Sequence, residues 1–531
     1  MRTRILVGCA LSLAMGVISW SLPAFGQSNL DGIWQTYNRA NSEINADSVI
    51  AIGFDGNDGV WSATRYGAQS FIGGIWTDYV DLTKIPSKDI WEIQGVGGTV
   101  YFGTRTGLTG YDGSTWTTYT TTNSGLVNAP VLRLADDGRG QLWIGTARGL
   151  CRLGTDHLIS SFKHDVVPVI PDNGIQDIAT GLNGDIWLIF IGPRGFVRLP
   201  GGSGALGTFI RQDTISNMPS EAITCIAVDH SGNVWAGMKS TGVVRISASG
   251  GTVFNAGNTS AIHSNIINKI EVDQCGNVWV ATQHGTAMYD GATWTAIPTE
   301  AAHVPNDTML TISVDGRGHI WFGSYGGLTV FKPLPQACTL ITPLMDMTMN
   351  ADSVLCQWDW NCPGITKYWF EIADNPDFVN SVIDTVSPSL TSSASRWNRG
   401  IANNSTHFWR VKAKNDAGWG PFSPTWVFHV SFPDAVPTQP MLSIPSSLGQ
   451  NYPNPCSERT AIDFYVATHG RVTLTLFDLL GREYSQPFNA VVGPGSFTIP
   501  VDLTGISANG PVFYRLEAGG TTFERIMTVV H

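Results

Sequence analysis

Seven copies of one short phrase constrain this chain more tightly than any other feature. An aromatic residue sits in an apolar run that small residues and a glycine then close. The copies are "GVWSATRYGA" from 59, "TVYFGTRTGL" from 99, "QLWIGTARGL" from 141, "DIWLIFIGPRGF" from 185, "NVWAGMKSTGV" from 233, "NVWVATQHGT" from 277 and "HIWFGSYGGL" from 319. Their aromatic anchors, Trp61, Tyr101, Trp143, Trp187, Trp235, Trp279 and Trp321, recur every 40 to 48 residues. A short apolar strand and an Asp/Gly turn precede each copy, as in "ITCIAVDHSGNVWAG", and a third and fourth strand follow, as in "GLTGYDG" and "TWTTYT". Four short antiparallel strands per period of roughly 40 to 45 residues predict the blades of an all-β, seven-bladed β-propeller over residues 27–334. The tryptophans are expected to wedge between neighbouring blades.

The phase of the repeat predicts how the ring closes. "GIWQTY" at 32–37 matches the fourth strands "STWTTY" and "ATWTAI", whereas the last copy stops after its third strand, "LTVFKP". Ile33 to Tyr37 should therefore supply the missing strand of the seventh blade. Closure of this kind removes a sheet edge that would otherwise be open to aggregation.

Composition agrees with short strands and tight turns: 59 Gly, 19 Trp and only 14% charged residues among 531. Residues 1–26 carry Arg2 and Arg4, an apolar stretch from Ile5 to Ile18 and a small-residue site at Ala24-Phe25-Gly26, the pattern of an export signal. Its removal takes the formal net charge from −11 to −13, which argues against nucleic acid as a partner. No later run of 18 or more apolar residues predicts a transmembrane segment. Seven of the eight cysteines lie beyond the signal, an odd number that cannot all pair internally.

The repeats resemble the two-component-regulator propeller family, whose Trp-(Phe/Ile/Val)-Gly-Thr-x-x-Gly-Leu motif, followed by Tyr-Asp-Gly, recurs most clearly at 142–150 and 101–113. In that family the propeller is often the exported sensor part of a hybrid kinase and recognises carbohydrate. This chain has no kinase or regulator segment, so the resemblance implies a binding role alone. Downstream, "VLCQWDW", "HFWRVKAKNDAG" and "WVFHV" resemble a fibronectin type III domain over 335–433, a small β-sandwich. An extended strand between Cys356 and Cys362 would span roughly 20 Å, beyond disulfide reach. The fibronectin-type fold instead implies a pair between Cys338 and Cys362.

A Pro/Ser-rich linker at 434–447 leads to "LGQNYPNPCSERTAIDFYV", "RVTLTLFDLLGRE" and "PVFYRLEAGGTTFERIMTVVH". This run resembles the C-terminal sorting domain of type IX secretion over 448–531, a second β-sandwich. Cys456 stands where that family has Phe, and Pro511 is expected to interrupt one of its strands. The resemblance implies the type IX machinery as a partner, a secreted or outer-surface location reached through the periplasm, and a bacterium of the Bacteroidetes–Chlorobi kind.

The sequence contains no phosphate loop, His-Glu-x-x-His helix or Gly-x-Ser-x-Gly elbow, and no catalytic residue, metal ligand or cofactor site is assigned. One constellation points to binding. The turn between strands two and three carries, copy by copy, Arg65, Arg105, Arg148, Arg194, Lys239, His284 and Tyr325. In propellers this turn shares a face with the connections from strand four to strand one, near the central channel. A cationic collar there would take an anionic ligand, such as an acidic glycan or another surface polymer, through fork-like guanidinium contacts.

The same connections bring Glu43, Asp47, Asp81, Asp165, Asp172, Asp213, Glu221 and Asp307, which would offset the collar. On the opposite face, Asp55, Asp137, Asp229, Asp273 and Asp315 are expected to bond their own turn amides. The favoured reading is an exported, noncatalytic binding or adhesion protein. The alternatives are a secreted polysaccharide lyase or hydrolase and a purely structural surface-layer component.

Overall fold

The computed structural model describes residues 30–57, 59–162, 170, 174–181, 183–192, 195–202, 207–297, 304–350, 353–359, 364–386, 394–397, 402–431, 446–478, 481–506 and 510–530. The export signal, most of the linker, Arg194, Asp165, Asp172 and Cys362 lie outside them. The described elements are strands and two three-residue 3-10 turns.

Seven four-stranded antiparallel sheets follow one another over 49–79, 90–119, 131–162, 175–211, 223–254, 267–297 and 309–333. The first six take their strands in chain order. The seventh has three consecutive strands, and Gly32–Tyr37 completes it. In that sheet Gly32 lies opposite Pro333, Trp34 opposite Phe331 and Tyr37 opposite Leu328. The innermost strands are Val49–Phe54, Ile90–Val96, Val131–Asp136, Ile175–Thr180, Ile223–Val228, Ile267–Val272 and Met309–Val314. Each contacts the next, and the last contacts the first. The ring is closed.

Three recurring residues explain the repeated phrase. The strand-two tryptophan fills the space between blades: Trp61 meets Phe102 edge-on at 5.4 Å, Trp235 lies 5.4 Å from Tyr289, and Trp279 lies 5.8 Å from Phe322. The Asp of the preceding turn anchors that indole. Asp229, Asp273 and Asp315 accept Nε1–H of Trp235, Trp279 and Trp321 at 2.8, 2.8 and 3.0 Å, and Asp55 accepts from Trp61 at 3.3 Å. Their other oxygen accepts two turn amides, for Asp273 those of Cys275 and Asn277 at 2.9 and 2.8 Å. The turn role expected of these aspartates is present, with the tryptophan bond added to it.

The glycine two residues after the aromatic leaves room for the next blade. A Cβ on Gly145 would stand 2.8 Å from Cγ2 of Ile175, and one on Gly323 would stand 2.6 Å from the carbonyl oxygen of Val49. A methyl group fits at neither seam.

The chain beyond the propeller forms two smaller pairs of sheets. The first combines a three-stranded sheet (Thr339–Thr342, Val354–Asp359, Ala394–Trp397) with a five-stranded sheet built round Ser405–Lys414. The second combines Ser447–Leu448, Arg459–Val466 and Gly495–Asp502 with the sheet of Gly470–Phe477, Glu483–Val492, Gly510–Ala518 and Thr521–Val529. Its core runs from Ile462 and Phe464 to Leu474, Tyr514 and Met527.

Two expectations are corrected. Cys338 is a free, buried thiol, so no bond joins it to Cys362. The disulfide-bonded cysteine among the described residues is Cys275. Pro511 does not interrupt its strand: it is the second residue of Gly510–Ala518, opposite Thr528, where the ladder begins and a missing N–H is tolerated.

Candidate functional site

The Thr-x-x-Gly ending of the phrase builds the turn that carries the predicted collar. In the second, third and sixth blades the hydroxyls of Thr104, Thr146 and Thr282 donate to the carbonyls of Gly107, Gly149 and Gly285 at 2.9, 2.7 and 2.9 Å. The same oxygens accept the amides of Thr106, Arg148 and His284 at 3.2, 3.2 and 3.1 Å. The closing glycine has a positive φ, +149° at Gly107 and +138° at Gly149, which other residues rarely adopt. Two residues are left to project from each such turn.

That geometry splits the collar. Arg65, Arg105 and Tyr325 occupy the first projecting position, whereas Arg148 and His284 occupy the second. Lys239 begins a three-residue turn between Met238 and Gly242. All six are exposed, but their charges are not equally available. Arg65 donates to the Tyr66 hydroxyl at 2.7 Å and lies over that ring. Arg105 pairs with Asp89 at 3.4 Å, and His284 meets Asp307 at 3.1 Å. Glu221 is held by Ser240 and Thr241, whose hydrogen bonds outweigh the upward push of burial and keep its carboxyl below the usual range. Arg148 and Lys239 make no side-chain hydrogen bond or ion pair with the described residues.

A second constellation lies on the propeller axis, and the sequence reading missed it. Every innermost strand has a bulge directly after its first residue. The next position in register reads Ala51, Glu92, Arg133, Asp177, Cys225, Lys269 and Thr311 round the ring. The signal was available there: four of the seven are charged at one repeated position of the innermost strands, whose only further charged residues are Asp136 and Glu271. Arg133 Nε lies 3.4 Å from Asp177 and 3.9 Å from Glu92, and Lys269 Nζ reaches Glu92 at 3.6 Å. Lys269 belongs to the sixth blade and Glu92 to the second, so the pair spans the axis. Burial alone would depress the Lys269 ammonium, but the carboxylates of Glu92, Asp177 and Glu271 outweigh it and hold the group above its ordinary value.

Beyond this bridge lies a cavity of about 260 Å³, lined by innermost strands of all seven blades. It extends to Asp136, Thr180, Val228 and Val272, where those strands run into the Asp turns. Ala135, Ala179 and Ala227 leave it open, and Glu271 faces it with no hydrogen bond or ion pair to a described residue. Burial raises the Glu271 carboxyl to about 7; Lys269 opposes the rise, and Glu92 and Asp177 add to it.

A folded-state value above the unfolded one means that stability from Glu271 is full below about pH 4.5 and drains away as pH rises through about 7. Glu271→Gln should therefore melt with the wild type near pH 5 and exceed it by about 1–3 kcal/mol near pH 8, as read by denaturant titration at both pH values.

No family model matches the chain, and no curated protein matches it. Solved structures do. The chain is similar to the extracellular domain assigned to a hybrid two component system of B. thetaiotaomicron, at 18% identity and a TM-score of 0.47, over 76% of this chain and 57% of that one. It is similar to PorZ, a surface component of the type-IX secretion system of Porphyromonas gingivalis, at 16% identity and a TM-score of 0.45, over 73% of this chain and 60% of that one. A second such extracellular domain from B. thetaiotaomicron matches at 11% identity and a TM-score of 0.48, over 94% of this chain and all of that one. The likeness is one of fold. This chain spans less than two thirds of the length of the first two structures.

Proposed function

We propose that this chain is an exported or cell-surface recognition protein whose propeller binds an anionic ligand, an acidic glycan or similar surface polymer, without catalysis. The ligand lies across the strand two–three turns of the third to fifth blades. One observation carries this reading: Arg148 and Lys239 are exposed and make no side-chain pair with a described residue, while Arg105 and His284 have carboxylate partners on the same face. Arg194, between them in blade order, extends the arc in sequence. Exposed positive charge that no described carboxylate pairs, on a protein of net charge −11, steers an anion to that arc. Within the same proposal, residues 335–433 form a fibronectin type III-like spacer and 448–531 a sorting domain for type IX secretion.

Titration of the full chain with polygalacturonate tests the site. Binding should weaken at least about tenfold in the Arg148→Ala, Lys239→Ala double variant and fall as salt rises, as loss of two charge-assisted contacts requires. No binding, or binding untouched by the double substitution, removes the assignment.

A second reading, a polysaccharide lyase or hydrolase, draws on the His284–Asp307 pair at 3.1 Å on that face, a spacing suited to a general base and its orienting carboxylate. Release of shorter products that His284→Ala abolishes would select it.

A further inference from the structure

We propose that the axial cavity below the Lys269–Glu92 bridge is a second binding site, which takes a small organic cation, an ammonium or guanidinium group, with Glu271 as its counter-ion.

The cavity offers acceptors and few free donors. Glu271 has both carboxylate oxygens unpartnered among the described residues, and Asp136 engages one oxygen with the amide of Gly138 at 2.9 Å. Gln94 spends an amide hydrogen on the carbonyl of Gly95 at 3.1 Å, and Thr180 spends its hydroxyl hydrogen on the carbonyl of Asp136 at 2.7 Å. Both keep acceptor oxygens, as does Ser313. The lysine at the roof is turned to Glu92. A ligand that completes such a set must be rich in donors, as ammonium and guanidinium groups are.

Charge points the same way. In the roof, Arg133 and Lys269 form their ion pairs with Glu92 and Asp177, so Glu271, on which Lys269 acts only from beyond ion-pair distance, and Asp136 make no ion pair with a described residue. Among the described residues no three His, Cys, Asp or Glu side chains are grouped so that they could hold one metal ion. The volume of about 260 Å³ equals about nine water molecules at ~30 Å³ each, enough for such a headgroup and its short alkyl stem.

Binding must be linked to protons. The titratable and charged side chains that the innermost strands bring towards Glu271 are Glu92, Arg133, Asp136, Asp177, Cys225 and Lys269; Val49–Phe54 and Met309–Val314 bring none. With the Glu271 carboxyl raised to about 7, a cation displaces its proton, and affinity should climb about 30-fold between about pH 5.5 and about pH 8.

The full chain is titrated calorimetrically with butylammonium and methylguanidinium, with sodium at equal ionic strength as reference, and with a short Arg-terminated peptide. The expected result is saturable binding with proton release near pH 7, the stated pH dependence, and loss in Glu271→Gln. Equal affinity for free ions and peptide identifies a free small cation, whereas much tighter peptide binding identifies an inserted side chain; either supports the site. No binding beyond the sodium reference near pH 8, or binding that survives Glu271→Gln, overturns it. The Arg148→Ala, Lys239→Ala variant should bind these cations normally, so this result stands or falls apart from that of the turn face.

Discussion

Replacing Trp279 by alanine is expected to remove about 3–5 kcal/mol from the propeller, among the largest effects of any single substitution in this chain. The indole is 1% exposed and packs on Phe322 and Phe331 of the next blade at 5.8 and 6.0 Å. Its loss opens a void at the blade interface. It also withdraws a hydrogen bond from Asp273, a carboxylate only 5% exposed.

The two contributions are separable. Trp279→Phe keeps most of the packing and loses the bond, whereas Trp143 is equally buried but its Nε1–H has no partner among the described residues. Trp279→Phe should therefore cost about 1–2 kcal/mol more than Trp143→Phe, the difference being one hydrogen bond to a charged group. Denaturant unfolding followed by circular dichroism checks both values; equal costs would mean that the aspartate serves its turn alone.

Gly323→Ala should cost about 2–3 kcal/mol although it adds a single methyl group. The obstacle is the backbone carbonyl of Val49, with Cγ2 of Thr311 at 2.7 Å, and neither moves without displacing the first or seventh blade. This seam joins the start of the ring to its end. The substitution should accordingly raise hydrogen exchange first in Gly32–Tyr37 and Val49–Phe54. Uniform protection loss round the ring would contradict that.

These two positions also explain what could be read from the sequence. The tryptophan, the glycine and the Thr-x-x-Gly turn each answer a demand that recurs in every blade, so they repeat and the fold repeats with them. Closure was legible because one strand was missing at 333 and a matching one stood at 32–37.

The charged features obey no such repetition. Arg148 and Arg105 fall at different turn positions because one copy spells Thr-Ala-Arg-Gly and the other Thr-Arg-Thr-Gly. Asp89, the partner of Arg105, lies 16 residues earlier in a loop of no distinctive composition. Glu92, Arg133, Asp177 and Lys269 come from four different blades, and their pairing follows from ring geometry. The state of Cys338, a free buried thiol, was not legible because a resemblance of fold does not fix which cysteines pair. Pro511 falls at a strand end, where the ladder spares an amide, and the local sequence does not mark that end.

Gly32 faces Pro333 across one strand spacing of about 5 Å, so the two ends of the propeller segment are neighbours. A short bridge between them, with a new opening at the solvent-facing Gly73–Gly74 turn, would yield a circular permutant in which all seven sheets keep their strands. The nick in this circle sits in the seventh blade through gene order alone.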